Sequence, residues 1–235
     1  MKKERNVNAY SSDGRIYQLE YAMKAASLGT TTISFKVSDG VVVASEKKIV
    51  SSLQVPSSVK KHHKIYDHCG FAFSGLSGDA RTIIKKARQN ALDHHLFYNE
   101  NVPVEGIVKS LSAMALNFGE KEESKKIFSR PFGISVLIAG YDIEPRLFSL
   151  DPSGTYTAYN AKAIGSAAEA VTAEMENVYN ETLSVPQAMA SILGLLKSVM
   201  KDPITKHNCE VMVCTQAGVK FVTDAEIEEI LNGLS

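Results

Sequence analysis

Apolar and polar positions alternate along the chain in blocks, and the period of each block predicts its element. Near the N-terminus Ile16, Leu19, Tyr21 and Met23 are spaced for a short helix. From residue 30 the period changes to two. Thr31, Ile33, Phe35 and Val37 share one face, and Thr30, Thr32, Ser34 and Lys36 share the other. Ser38-Asp39-Gly40 carries a hairpin signal, so residues 41–44 are expected to return as a buried strand. A second strand pair is expected over 65–67 and 70–74. Ala80, Ile83, Ile84, Ala87 and Ala91 then recur at helical spacing. Val104, Ile107, Val108, Leu111, Ala115 and Phe118 do the same after Pro103, a residue suited to a first helical turn. Beyond a charged loop at 121–126, strands are expected over 132–140 and 146–150. Asp151-Pro152-Ser153-Gly154 is the turn that leads on to the next strand.

Three capping boxes, Ser166 with Glu169, Ser184 with Gln187 and Thr223 with Glu226, mark helix starts. Residues 210–215 and 219–222 form a last hairpin around Gln216-Ala217-Gly218. The block order is strands, two helices, strands, two helices, strands, one helix. Grouped helices and hairpin-linked strands do not make a βαβ wind. They predict an α+β fold in which two antiparallel sheets are stacked between helix layers. No linker rich in Pro, Gly or Ser divides residues 1–235, so a single domain is expected.

Composition narrows the function classes. The 26 basic and 26 acidic side chains cancel. No overall positive excess exists to release counterions from nucleic acid or a membrane surface. No apolar run approaches the roughly 18 residues of a membrane span. Residues 1–5 are basic but lead into polar residues, unlike a secretory signal. Cys69, Cys209 and Cys214 are odd in number and lack metal-site spacing, which suits a reducing, intracellular compartment.

Gly29-Thr30-Thr31-Thr32 opens two readings. Cutting the Gly29–Thr30 bond would leave a terminal threonine whose own amine can act as base for its hydroxyl. Three threonines are equally what a β-strand favours with no chemistry attached. Lys60-Lys61-His62-His63-Lys64 reads as a binding patch or as a solvated edge strand whose charges discourage sheet-to-sheet pairing. The pairs His62/His63 and His94/His95 point to opposite faces of a strand, or about 100° apart on a helix, so neither converges on one ion. No metal and no cofactor are expected. Gly75-Leu76-Ser77-Gly78-Asp79 precedes a helix but lacks the Gly-Lys-Ser/Thr ending of a phosphate loop, which leaves a strand-to-helix turn.

The stretch Tyr10-Ser11-Ser12-Asp13-Gly14-Arg15-Ile16-Tyr17-Gln18-Leu19-Glu20-Tyr21-Ala22 closely resembles the N-terminal signature of the alpha-type subunits of the 20S proteasome. The resemblance continues through Pro56-Ser57-Ser58, Ser74-Gly75-Leu76, Ala80-Arg81, Arg130-Pro131-Phe132-Gly133, Asp151-Pro152-Ser153-Gly154-Thr155 and Ala163-Ile164-Gly165-Ser166, and covers essentially the whole chain. The Pro-Ser-Ser, Tyr98-Asn99-Glu100 and Arg-Pro-Phe-Gly stretches are most similar to one eukaryotic subtype, the fifth alpha type. The resemblance implies a four-layer αββα sandwich of the N-terminal nucleophile hydrolase kind, with residues 1–13 as a gate tail and 14–28 as the alpha-type N-terminal helix. Catalytic beta-type relatives align their nucleophile with Thr30, and their aspartate and lysine with Glu46 and His62. Lys61 falls one residue early and should face the other side of its strand. A threonine behind a retained helix has no free amine, so the resemblance implies a catalytically silent chain with no catalytic residue.

The function so implied is structural and gating. Six other alpha-type subunits would complete a heteroheptameric outer ring, a beta-type ring would lie beneath it, and a regulatory ATPase particle or other activator would dock above. The complex would serve ubiquitin-dependent protein degradation in cytoplasm and nucleus, with no nucleic-acid or membrane partner. Lys61 matches the pocket lysine that meets an activator's C-terminal carboxylate, while Gly29 and Leu76 match further pocket positions. Glu4, Arg5, Ser12, Gly14, Arg15, Gln18, Glu20 and Tyr21 match the gate and signature positions. Here the family's Tyr-Asp-Arg is Lys3-Glu4-Arg5, and the proline of its Ser-Pro-x-Gly-Arg is Ser12. A freed φ at Ser12 loosens that turn, and this subunit's contribution to the open gate is expected to be weakened. Two alternatives stand beside this reading: a threonine peptidase autoprocessed before Thr30, and a homoheptameric ring protein.

Overall fold

The computed structural model describes residues 9–51, 53–118 and 129–234. The expected N-terminal helix is α1, Tyr17–Ser27. The hairpin at Ser38-Asp39 joins β1, Thr32–Val37, to β2, Gly40–Glu46. The next pair is β3, His62–Tyr66, and β4, Cys69–Gly75. Two helices follow, α2 over Ser77–Tyr98 and α3 over Val104–Ala115. Then come β5, Ile134–Tyr141, β6, Pro145–Leu150, β7, Tyr156–Ala158, and β8, Ala161–Ile164. Helices α4, Ala168–Val178, and α5, Val185–Val199, precede β9, Cys209–Thr215, β10, Gly218–Phe221, and α6, Asp224–Gly233.

The strands form two antiparallel five-stranded sheets, ordered β10-β9-β2-β1-β8 and β3-β4-β5-β6-β7. Three apolar clusters fill the spaces between four layers. Phe71, Phe73 and Ile138 of the second sheet pack with Ile83, Ile107 and Leu111 of α2 and α3. Ile33, Phe35 and Val42 of the first sheet pack with Ile192 and Leu196 of α5 and Ile227 of α6. Val41, Val43, Ala72, Leu137 and Met212 close the sheets on each other. This is the α+β sandwich that the block order and the resemblance both predict.

Period two therefore means something particular here. The polar face of β1 does not look at water. It looks toward the other sheet, and its hydroxyls are paired by the flanking strands of their own: Thr32 Oγ1 and Ser45 Oγ of β2 lie 2.7 Å apart, and Ser34 Oγ donates to the Lys162 carbonyl of β8. The hydroxyls of Thr32, Ser34 and Ser45 are thus each matched to a partner, which removes the cost of desolvating them.

Three expectations need correcting. Ser166 caps no helix: its amide donates to the Gly29 carbonyl, Gly165 takes a φ of +101°, and α4 starts after Ala167 without a side-chain cap. The backbone there is committed to the end of α1, so the local capping preference is overridden. The boxes at Ser184 and Thr223 both form. Strand β3 begins three residues earlier than expected, because Glu210 Oε2 accepts the amides of both Lys61 and His62 and draws that segment against β9. Helix α3 ends at Ala115, short of Phe118, and Pro103 sits at its N-cap. The charged loop at 121–126 lies outside the described residues.

Candidate functional site

The chain leaves α1 at Ser27 and enters β1 at Thr32, and the four residues between are held on both sides. The Gly29 amide donates to the Ala26 carbonyl, and the Gly29 carbonyl accepts from Ser166. Any side chain at Gly29 would strike the Gly75 amide nitrogen and Ser74 Oγ, so α1 can lie against the end of β4 only because this residue lacks a Cβ. A cleft of about 680 Å³ opens beside the segment, lined by Gly29, Thr30, Thr31, Glu46, Lys47 and Ser166 among others. Thr30 Oγ1 is buried and has no hydrogen-bond partner among the described residues. Thr31 Oγ1 accepts from the Ala167 amide, and Glu46 Oε2 stands 3.5 Å from the Thr31 nitrogen.

In the uncut chain the Thr30 nitrogen lies in a peptide bond continuous with α1, and it becomes a terminal amine only if the Gly29–Thr30 bond is broken. The residue aligned with the lysine is His62, fully buried on the inner side of β3. Its Nε2 is 2.7 Å from Ser45 Oγ, which in turn meets Thr32 Oγ1. Burial first, then the neighbouring His63, Lys61 and Lys47, hold its imidazole down to about 3. It is neutral at physiological pH, engages Thr32 through Ser45, and brings no positive charge to Thr30. Thr32–Ser45–His62 is a hydrogen-bonded brace between the two sheets.

Lys61 occupies the opposite side of the strand. Its Nζ lies 4.6 Å from the centroid of the Phe73 ring, and the residue is 7% exposed. Burial lowers its pKa, and the carboxylates of Glu46 and Glu210 act the other way. Glu210 is itself raised by burial, against the two amides it accepts and the charges of Lys47 and Lys60. Leu76 follows Gly75 directly at the start of α2 and is 47% exposed. Gly29, Lys61 and Leu76 therefore gather around the end of β4 and its exit: Lys61 on Phe73, Gly29 on Ser74 and Gly75, and Leu76 next in the chain.

The signature segment forms a separate, exposed site. The Ser11 amide donates to the Arg15 carbonyl, and Gly14, at a φ of +72°, donates back to the Ser11 carbonyl. Ser12 lies in the turn so closed. The Arg15 guanidinium pairs with both oxygens of Glu20, Nε at 2.6 Å and Nη2 at 2.5 Å, and also lies over the Tyr17 ring. Tyr17 stacks on Tyr21, which is 63% exposed, and Gln18 is exposed as well. Glu4 and Arg5 lie outside the described residues.

Two supporting groups escape a reading of the sequence. Glu210 has no local signal: it is a lone acid in a strand, and only the pairing of β9 with β2 brings it beneath β3. Asp79 has one, since its partners belong to the motif Arg130-Pro131-Phe132-Gly133. Its carboxylate takes the Arg130 guanidinium at 2.8 and 3.0 Å and the Gly133 amide at 2.8 Å, which ties the start of α2 to the lead-in of β5.

A family model described as "Proteasome subunit" matches residues 26–214, and a second, for the N-terminal signature of A-type proteasome subunits, matches residues 4–25. The chain is 53% identical over 228 residues to a "Probable proteasome subunit alpha type-5" of Encephalitozoon cuniculi, covering 97% of this chain and 98% of that one. It is 43% identical over 220 residues to the "Proteasome subunit alpha type-5" of Dictyostelium discoideum, covering 93% and 90%. It is 38% identical over 236 residues to the Drosophila melanogaster protein of the same description, covering 99% and 97%.

Proposed function

The chain belongs to the proteasome subunit family, on its alpha-type side, and from that premise we propose that it is a non-catalytic wall and gate subunit of the outer alpha ring of the 20S core particle. Such a ring works by exclusion. It admits unfolded chains through its centre and keeps folded ones away from nucleophiles carried elsewhere. One observation carries the non-catalytic part: the position of the lysine is filled by a buried, neutral His62 that hydrogen-bonds Ser45. The rival reading, a threonine peptidase cut before Thr30, would separate α1 from β1 and would still find a neutral His62 where the resemblance expects the lysine.

The ring reading gives the outward groups a use. Around the exit of β4, Lys61 supplies a partly desolvated ammonium, Gly29 a close backbone approach and Leu76 an apolar wall. An activator's terminal carboxylate arriving there gains a charge-assisted contact. Six other alpha-type chains complete the ring, a beta-type ring lies beneath, and regulatory ATPases or other activators dock above, in cytoplasm and nucleus. Tyr21 and the turn at Ser12 and Gly14 belong to the gate, together with Glu4 and Arg5; Arg15 and Glu20 hold that turn to α1, and Gln18 stays free on its exposed side. With serine in place of proline the gate contribution is weakened.

One purification tests the reading. Native complex carrying wild-type or Lys61→Ala chain is isolated, and its mass, subunit composition and this chain's N-terminus are measured beside activator-stimulated peptide hydrolysis. The expected result is seven different alpha chains, an N-terminus upstream of Thr30, and loss of stimulation in Lys61→Ala. A chain beginning at Thr30 overturns the non-catalytic reading, a ring of identical chains overturns the heteroheptamer, and full stimulation of Lys61→Ala overturns the pocket.

A further inference from the structure

The outward side of β3 and the helix α2 beside it enclose a groove of about 390 Å³, lined by His63, Arg81, Lys85, Arg88, Gln89 and the apolar Ile84 and Leu92. Every charge in that lining is positive. The carboxylates nearest in the chain are already engaged: Asp67 by Lys64, Asp79 by Arg130 and the Gly133 amide, and Asp93 by the Gln89 amide. Among the described residues Lys60, Arg81, Lys85 and Arg88 form no ion pair; Arg88 spends one N–H on the Lys64 carbonyl. The His63 imidazole records this field. Burial first, then Arg88, Lys60 and Arg81, push its pKa down, and no acid acts on it in the other direction.

The groove has a second half. Arg81, Lys85, Arg88, Leu92 and Leu96 follow at steps of four, three, four and four, so they form one stripe along α2: three cations, then two leucines. The apolar end is uncovered, with Leu96 and the adjoining Phe97 71% and 83% exposed. Like charges held on one rigid helix face repel, and exposed leucines beside them gain from being covered. A single partner segment can relieve both.

We propose that this stripe receives a segment of a neighbouring subunit that sets carboxylates against Arg81, Lys85 and Arg88 and apolar side chains against Leu92 and Leu96. The inference rests on the reading of the chain as one wedge of a ring, which is what supplies a neighbour at fixed distance. A phosphate polyanion fits the stripe less well. It would leave Leu92, Leu96 and Phe97 uncovered, and the chain as a whole carries no net positive charge to attract one. The acidic segment also gives orientation: opposite charges across an interface set register and suppress wrong neighbours more than they add affinity.

Carbodiimide coupling, which joins a lysine amine directly to a touching carboxylate, tests this in the assembled particle, with linked peptides identified by mass spectrometry. Lys85 is expected to link to an aspartate or glutamate of another subunit. The yield should fall about tenfold in Arg81→Glu/Arg88→Glu particles, where like charge faces like. Should that double variant fail to assemble, Arg88→Gln with the same readout at Lys85 takes its place, and a reduced yield is again expected. Links from Lys85 only to this chain's own carboxylates, Glu120, Glu122 or Glu123 included, overturn the proposal. So does the absence of any Lys85 link where other lysines of the chain yield inter-subunit links, and so does a nuclease-removable polyanion occupying the groove. A chain that does not purify within any ring overturns the ring reading itself, a result distinct from all of these.

Discussion

His62 and His63 are adjacent on β3 and carry the same side chain, yet they stand in opposite settings. His62 points between the sheets, fully buried, with Ser45 as its hydrogen-bond partner and its imidazole held near 3. His63 points toward α2, half-buried, stacked on Phe73 at 6.2 Å and ringed by Arg88, Lys60 and Arg81. On the inner side the imidazole meets the Ser45 hydroxyl, while the nearby Glu210 carboxylate is spent on the Lys61 and His62 amides, so a neutral imidazole is favoured there. The outer side borders water, so cations survive unpaired and remain available to a partner. Strand alternation thus separates what holds the sheets together from what is presented to another chain.

The comparison breaks first if the inner side tolerates charge. His62→Lys places an ammonium against Ser45 and Thr32, where the nearby Glu210 carboxylate is already engaged by the Lys61 and His62 amides. The expected loss is about 3–5 kcal/mol, the range for a buried charge left uncompensated. It would be measured as the yield and thermal midpoint of rings containing the variant. A ring as stable as wild type would mean that the inner face is wet or carries a compensating acid.

A smaller effect follows from His62 without changing its size. Its pKa is depressed in the folded chain, to about 3 from an ordinary value of 6.5. Between those values the unfolded chain binds a proton that the folded chain refuses, so stability rises with pH through that window. The His62 contribution is complete above pH 6.5 and lost as pH falls toward 3, at about 1.4 kcal/mol per pH unit for one proton. His62→Gln, which keeps a side chain able to hold Ser45, should flatten the stability-against-pH slope by roughly one proton between about pH 4 and 6. An unchanged slope would assign the acid sensitivity to other groups.

How much of this is legible in the sequence differs between the two sides. The outer side is readable in part: the basic run at 60–64 marks an edge-strand or patch feature, and α2 emerges from its apolar spacing. Its opposite faces follow from period alone. The inner side is legible only to the extent that the β1–β2 hairpin sets Thr32 opposite Ser45; His62 meets them only when the sheets stack. For the same reason Glu210 gives no sign of itself. The Ser166 box fails because the residue's backbone is already taken by Gly29, far away in the chain. The passage from β7 in one sheet to β8 in the other is equally hidden, since nothing in Tyr159-Asn160 marks a change of sheet. Periodicity reports which element forms and which face is buried. It does not report what that face is buried against.

The finest test reads the two imidazoles separately in the intact particle. Hydrogen–deuterium exchange at the histidine C2 position, followed by mass spectrometry, gives each pKa without unfolding the complex. Arg88→Gln removes one cation from beside His63 and leaves the inner side untouched, so the His63 pKa should rise toward the ordinary value while His62 stays where it is. The sign does not depend on whether a partner's carboxylate fills the groove. Removing a nearby positive charge favours the protonated imidazole in either case. The size does depend on it: an acid already lying across Arg88 screens its charge from His63, and the rise shrinks. Equal movement of both histidines would show that β3 transmits charge between its faces, and the separation drawn between them would fail. Movement of His63 alone would leave the neutrality of His62 to its burial first and then to its nearer neighbours His63, Lys61 and Lys47.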